Sequence, residues 1–206
     1  MTRIIFFGTP EPAAKALRAL VKNGHEVVAV FTQPDRVSGR SRKPRPTPVN
    51  EAAVELGLPV HTPRGDDVLS DLASTAADIS VVLAYGRILP PAILALPARG
   101  VLNVHPSLLP LYRGPSPVVT AIREGASETG VSVMLLDEGM DTGPVIAQSA
   151  SVPITESDTA ESLTDQLFRM GVDLLVKTIP AWERGDIEAV PQDDALATVT
   201  SLVEKS

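Results

Sequence analysis

The sequence predicts an α/β fold of the Rossmann-like kind, a mainly parallel sheet flanked by helices. Three observations carry this expectation. Short, almost wholly apolar segments alternate with stretches of helical periodicity, and that alternation is what a sheet buried on both faces by crossover helices produces. Gly8, Gly86 and His105 fall at the ends of such segments, where the chain would leave the carboxyl edge of a sheet for a loop. The composition, 44% hydrophobic but only 3% aromatic, supplies an aliphatic core sufficient for one domain in 206 residues.

Taken in order, RIIFFG (Arg3–Gly8) reads as a buried strand and residues 12–22 as a helix closed by Gly24. EVVAVFT (Glu26–Thr32) is the next buried strand. The following PDRVSGRSRKPRPTP is too rich in Pro, Gly and Arg for a core element. Thr47 or Pro48 opens a helix that runs to Leu56 and stops at Gly57; PVHT is a short strand, and residues 66–73 a short helix. DISVVLAYG (Asp78–Gly86) and GVLNVH (Gly100–His105) read as central strands, and residues 117–124 as a helix. TGVSVMLL (129–136) and PVIAQSASVPI (144–154) read as a strand pair, expected antiparallel. Ser157 is the expected cap of a long helix to about Glu183, although Glu161 falls one residue late for a capping box. The catalytic domain is expected over 1–186. After Asp186 the tail, ending ATVTSLVEKS, has little core-forming pattern and reads as a linker.

Several chemistries are excluded or disfavoured. Zero cysteines rule out disulfides, thiolate metal sites and a Cys nucleophile. The first strand ends in GTPEPAA, neither G-x-G-x-x-G nor a Walker loop, so the backbone cradle of a dinucleotide or nucleoside triphosphate is missing. No G-x-S-x-G elbow is present. His25 and His61 lack metal-ligand spacing and read as structural or surface residues; no metal is expected. No segment reaches the ~18 apolar residues of a membrane span, and the N-terminus lacks a secretory pattern, so a soluble cytoplasmic protein is expected. The net charge of −7 opposes non-specific binding of nucleic acid by the whole surface. A local basic loop, with Arg36, Arg40, Arg42, Lys43 and Arg45, could still meet one polyanion.

The chemistry concentrates around VLNVHPSLLP. Asn103 and His105 are two apart on a strand and so share a face, with a rigid Ser-Leu-Leu-Pro turn directly after them. Another strand leads into DEGMDTG (137–143), three carboxylates and two glycines. Taken singly, these read as a polar pair capping a sheet edge and an acidic turn. Together, Asn, His and Asp make a workable set for acyl transfer to an amine. An amide donor and an imidazolium stabilise an oxyanion, while a carboxylate orients the imidazole; no covalent nucleophile is needed.

Asn103-Val-His105-Pro-Ser-Leu-Leu-Pro110, with Asp141 in DEGMDTG, resembles the signature of the 10-formyltetrahydrofolate-dependent formyltransferases. The resemblance covers essentially the whole chain. FFGTPEPAAKALRAL, VVAVFTQPDR, VVLAYGRILP, LLPLYRG and VPQDDALAT look most like the branch whose acceptor is methionyl-tRNA. It implies that Asn103, His105 and Asp141 are catalytic, the first two holding the oxygen of a tetrahedral intermediate and the third orienting His105. It also implies that Ser107, Leu108, Leu109 and Pro110 form a folate-binding turn whose Leu-Pro bond is commonly cis. The same folate, as 10-formyltetrahydrofolate co-substrate, would meet Ala84, Tyr85, Gly86, Arg87 and Leu89, and Asp137, Glu138, Gly139 and Met140. Arg40, Arg42 and Lys43 match a basic insertion that approaches the acceptor stem of the initiator tRNA.

Two departures fall on the expected acceptor side. Pro12 stands where an aromatic residue is typical, and Arg113-Gly-Pro-Ser-Pro-Val-Val119 lacks the branch's Gln. The chain also ends near where an oligonucleotide-binding domain normally begins, so a C-terminal tRNA-binding domain is expected to be absent. The expected activity is formylation of methionyl-tRNA by a monomer. Alternatives are a standalone formyltransferase acting on a small amine or amino-sugar, and a folate- or tRNA-binding remnant without turnover. Release of formate by hydrolysis would use the same residues.

Overall fold

The computed structural model describes residues 1–37, 44–63, 72 and 75–203, and the chain divides into two compact units, Met1–Leu102 and Asn103–Ser206. In the first unit, β1 (Arg3–Gly8) lies between β2 (Glu26–Phe31) and β6 (Ile79–Leu83), and β2 also pairs with β5 (Val60–His61). All three pairings are parallel, as the buried apolar runs predict. Ile4, Phe6 and Phe7 are fully buried, and the Phe7 ring stacks on Phe31 at 5.0 Å between centroids. His61 in turn stacks on Phe31 at 4.7 Å, a structural use of that histidine.

Helix α1 (Glu11–Lys22) buries Ala13, Ala14, Ala16, Leu17 and Leu20. Its small residues let it sit close, and at Gly8 a Cβ would meet Ala13 Cβ and the Phe6 ring, both at 2.7 Å. Helix α2 (Pro48–Glu55) starts at Thr47, whose hydroxyl accepts the Asn50 N–H at 3.1 Å. Thr47, one of the two alternatives, is thus the cap and Pro48 the first helical residue. Two two-residue strands, β3 (Arg36–Val37) and β4 (Pro44–Arg45), pair antiparallel within the loop that composition marks as non-core. Arg40, Arg42 and Lys43 lie outside the described residues, as does the expected helix over 66–73 apart from the buried, helical Leu72. A one-turn helix α3 (Pro91–Leu94) has no periodicity long enough to have been foreseen.

In the second unit, β7 (Val101–His105), through which the division runs, neighbours β9 (Ser132–Leu135). Strand β10 (Val145–Gln148) pairs antiparallel with β9. Helix α4 (Pro117–Arg123) matches its expected span. The expected continuous strand over 144–154 is broken. Ser149 takes the Val131 N–H on its hydroxyl at 3.0 Å and donates to Ala150 O at 2.8 Å. The chain then resumes as β11 (Val152–Pro153), antiparallel to β8 (Glu128–Thr129). Ser149 N–H still donates to Val131 O at 2.9 Å, but its hydroxyl takes the Val131 N–H in place of a backbone carbonyl, and the ladder ends there.

The long helix α5 (Ala160–Arg184) is capped by Thr159 rather than Ser157. The box is reciprocal: Thr159 Oγ1 accepts from Ser162 N–H and Ser162 Oγ from Thr159 N–H, at 3.1 and 3.0 Å. Asp158 accepts the Thr155 N–H at 2.8 Å, holding residues 155–158 in a turn and so delaying the helix by two residues. Gly185, at φ 75°, ends it. Gly171 allows α5 to descend on β7, because a Cβ there would collide with Val104 Cγ1. Among the described residues, no helix is long and apolar enough to cross a membrane.

Candidate active site

His105 closes β7 and is 4% exposed. Its Nε2 lies 2.9 Å from the carbonyl oxygen of Tyr112. A carbonyl only accepts, so Nε2 carries the hydrogen and Nδ1 is the nitrogen left for proton exchange. Nδ1 faces Asp141 Oδ2 at 3.6 Å. The same carboxylate oxygen accepts the Gly114 N–H at 2.8 Å, which fixes its rotamer. Asn103 lies two residues before His105 on the strand and is half-buried. The structure therefore brings His105 and Asp141 together, with Asn103 on the same strand as the histidine.

The Ser107–Pro110 turn is anchored from within. Ser107 N–H donates to His105 O at 2.9 Å, and Ser107 Oγ to Leu111 O at 2.6 Å. The fully buried Ser132 hydroxyl accepts the Leu109 N–H at 3.0 Å and donates to Ser107 O at 2.8 Å. Gln148 Nε2 adds bonds to Leu109 O and Ser132 Oγ, at 2.8 and 3.0 Å. The Leu109–Pro110 bond is cis. Tyr112 and Asp141 both take left-handed backbone, at φ 58° and 55°, a conformation that non-glycine residues hold only when their surroundings impose it. Burial raises the Tyr112 phenol above its ordinary value, and the neighbouring Glu124 carboxylate adds to this.

Of the other sequence-predicted residues, Asp137 organises its own loop. Its carboxylate accepts the Gly139 N–H at 3.1 Å and the Thr142 hydroxyl at 2.8 and 2.9 Å. Met140 projects outward, 60% exposed. In the first unit, Tyr85 and Leu89 are buried and Ala84 and Gly86 take left-handed backbone, at φ 49° and 80°. Tyr85 O accepts from Thr9 Oγ1 at 2.9 Å and Gln33 Nε2 at 3.2 Å, and Arg87 donates to Pro63 O at 3.3 Å. Burial raises the Tyr85 phenol, against the opposing pull of Arg87. A cavity of about 410 Å³ opens beside this segment, lined by Thr9, Gln33, Arg45, Thr47 and Tyr85 among others. Among the described residues, no group of three or more His, Cys, Asp or Glu could hold a metal ion.

Residues to which the sequence assigns no role at the site sit around His105 and Asp141. Arg113, 6% exposed, donates from Nε to Gln192 Oε1 at 2.9 Å and from Nη2 to Asp194 at 2.8 Å. Gln192 Nε2 donates to Asp141 O and Gly143 O at 2.8 and 2.7 Å. Thr198–Thr200 runs beside Arg113: Arg113 N–H donates to Thr198 O at 2.8 Å, and Thr200 N–H to Arg113 O at 2.7 Å. The tail that composition reads as a linker is thus tied to the site by backbone and carboxamide bonds, which leave no hydrophobic pattern. Its sequence signals are the family-like VPQDDALAT and the β-prone alternation of ATVT.

The family described as formyl transferase matches residues 2–179. A methionyl-tRNA formyltransferase of Chloroflexus aurantiacus is 51% identical over 98% of this chain, and the chain spans 66% of that relative's length. A phosphoribosylglycinamide formyltransferase from Bacillus halodurans superposes with a TM-score of 0.72 at 28% identity, over 88% of this chain and 94% of its own. An N-formyltransferase from Helicobacter canadensis, solved with folinic acid and dTDP-3-aminofucose, gives a TM-score of 0.78 at 24% identity, over 97% and 71%.

Proposed function

Because this chain belongs to the formyl transferase family, we propose that it transfers a formyl group from 10-formyltetrahydrofolate to the amino group of methionyl-tRNA. The choice of acceptor is carried by one observation. Identity to a methionyl-tRNA formyltransferase is 51% along nearly the entire chain, against 28% to a phosphoribosylglycinamide formyltransferase.

The amine attacks the formyl carbon and the carbonyl oxygen becomes an oxyanion. Asn103 supplies a donor to that oxygen, and His105 adds one when Nδ1 carries a proton; such stabilisation usually contributes most in acyl transfer. Collapse of the tetrahedral intermediate breaks the bond to N10 of the folate; the attacking nitrogen loses a proton and N10 gains one. His105 Nδ1 serves that exchange, with Nε2–H held by Tyr112 O and Asp141 facing the ring. The folate assignments stay with the motifs that suggested them: Ala84–Gly86, Arg87, Leu89, Ser107–Pro110 and residues 137–140. The basic loop with Arg40, Arg42 and Lys43 is proposed to meet the tRNA acceptor stem. The reaction needs no metal, is assigned to a monomer, and belongs in the cytoplasm, where charged initiator tRNA is available.

The test is an acceptor screen with 10-formyltetrahydrofolate, comparing charged initiator tRNA with small amines and amino-sugars. Formyl-methionyl-tRNA is the expected product. Turnover of a small amine with none of the tRNA would sink the acceptor while keeping the family chemistry. His105→Ala is expected to lower transfer by about 10²–10⁴-fold, the range for a lost general acid–base, and to leave folate binding largely intact. An unchanged rate would refute the mechanism.

A further inference from the structure

We infer that the segment following α5, from Val190 to Thr200, is a positioning strap for the His105–Asp141 pair, and that Gln192 is the residue through which it acts. The inference rests on the formyl-transfer reading above for its kinetic consequence, but its geometry stands independently.

Both polar atoms of the Gln192 carboxamide are hydrogen-bonded. Both hydrogens of Nε2 go to one loop, to Asp141 O and Gly143 O at 2.8 and 2.7 Å. Oε1 takes the Nε–H of Arg113, on the other loop, at 2.9 Å. These are the two loops that must be in register. One holds the Asp141 carboxylate; the other holds Tyr112 O, the partner of His105 Nε2, and Gly114 N–H, the partner of Asp141 Oδ2. Asp141 sits at φ 55°, so its placement needs an outside constraint, and Gln192 bonds the very carbonyl whose direction that backbone sets.

The strap is itself fixed at both ends. Val190 bridges to Val145 through two N–H···O bonds of 2.8 Å, and Thr198 and Thr200 pair with Arg113. Thr198 Oγ1 accepts the Tyr112 N–H at 2.7 Å, and Thr200 Oγ1 the Ser116 N–H at 3.1 Å. Asp194 pairs with Arg113 Nη2, but its side chain is 84% exposed, so that ion pair constrains little. The half-buried carboxamide is the specific element. Glutamate there would keep the shape and turn an acceptor oxygen toward two carbonyl oxygens.

Two measurements on the full chain test this. Gln192→Ala and Gln192→Glu are expected to lower kcat by about 10–100-fold with little change in donor KM, as misplacement of reacting groups does. In an Asp141→Asn background the Gln192→Ala change is expected to cost nothing further, because its effect runs through Asp141. A merely structural role would lower both backgrounds alike, and that additivity would overturn the inference. Independently of turnover, hydrogen exchange at the Gly114 amide reads the Asp141 carboxylate directly. Its protection is expected to fall about tenfold or more in the Gln192 variants, in proportion to the lost hydrogen bond. The Leu109 amide, bonded to Ser132, reports the intact fold and identifies which variant to compare. Unchanged Gly114 protection would overturn the strap whatever the kinetics. If the wild type transfers formyl to no acceptor, the functional reading fails, and the Gly114 amide alone decides the positioning role.

Discussion

Replacing Ser132 by alanine isolates the support beneath the Ser107–Pro110 turn. The hydroxyl is fully buried and makes three bonds: it accepts from Leu109 N–H and Gln148 Nε2 and donates to Ser107 O. Gln148 keeps a second bond, to Leu109 O at 2.8 Å. The Leu109 amide does not, so Ser132→Ala leaves a buried N–H unsatisfied. Orphaning that donor costs about 1–3 kcal/mol and losing the bond to Ser107 O about 1 more, giving about 2–4 kcal/mol in all. In a chain of this size that corresponds to a fall in Tm of about 5–15 °C. The assay is urea and thermal unfolding of Ser132→Ala beside Ser157→Ala, an exposed control expected to shift stability by less than about 0.5 kcal/mol. Donor KM is expected to rise more than kcat falls, since the turn assigned to the folate is loosened and His105 is not. A Ser132→Ala protein as stable as the control would refute the account of the turn as held by this hydroxyl.

Gly171→Ala opposes two effects: helix propensity favours alanine by about 1 kcal/mol, whereas overpacking against Val104 and Val131 costs about 1–3 kcal/mol. Both valines are buried, so the net change is expected to be destabilising, and a raised Tm would count against close packing of α5 on β7. The Asp158 carboxyl is held below its ordinary value of 3.8, chiefly by the Thr155 N–H and then by the Thr155 hydroxyl. Its folded pKa being depressed, the stabilisation is present above that ordinary value and is lost as pH falls through the folded one. The Tm difference between wild type and Asp158→Ala is therefore expected at neutral pH and to vanish in acid; a difference that persists in acid would assign the turn to packing instead.

Much of the fold was legible because its signals are local. Ile4–Phe7 and residues 79–83 are apolar runs bounded by turn residues, and the structure makes them neighbouring parallel strands. The errors came where two local signals compete. Ser157 and Thr159 both offer an N-cap hydroxyl, and the Asp158–Thr155 turn selects the second. Residues 144–154 look like one strand, but the Ser149 hydroxyl takes the Val131 N–H that a backbone carbonyl would accept in a continuing ladder.

For the site, the residue types and their order along the chain were determined by the sequence alone: Asn103 and His105 two apart on a strand, and Asp141 in a glycine-flanked acidic loop. Chemistry of that kind depends on side-chain identity, which a sequence carries directly. Tertiary structure decided the rest. It set Nε2 of His105 on the Tyr112 carbonyl, aimed the Asp141 carboxylate through Gly114, and tied both loops to Gln192 in a tail whose composition suggests a linker. Those bonds join residues up to 79 positions apart, and most of them end on a backbone group, which every residue possesses. A pattern of side chains cannot announce them.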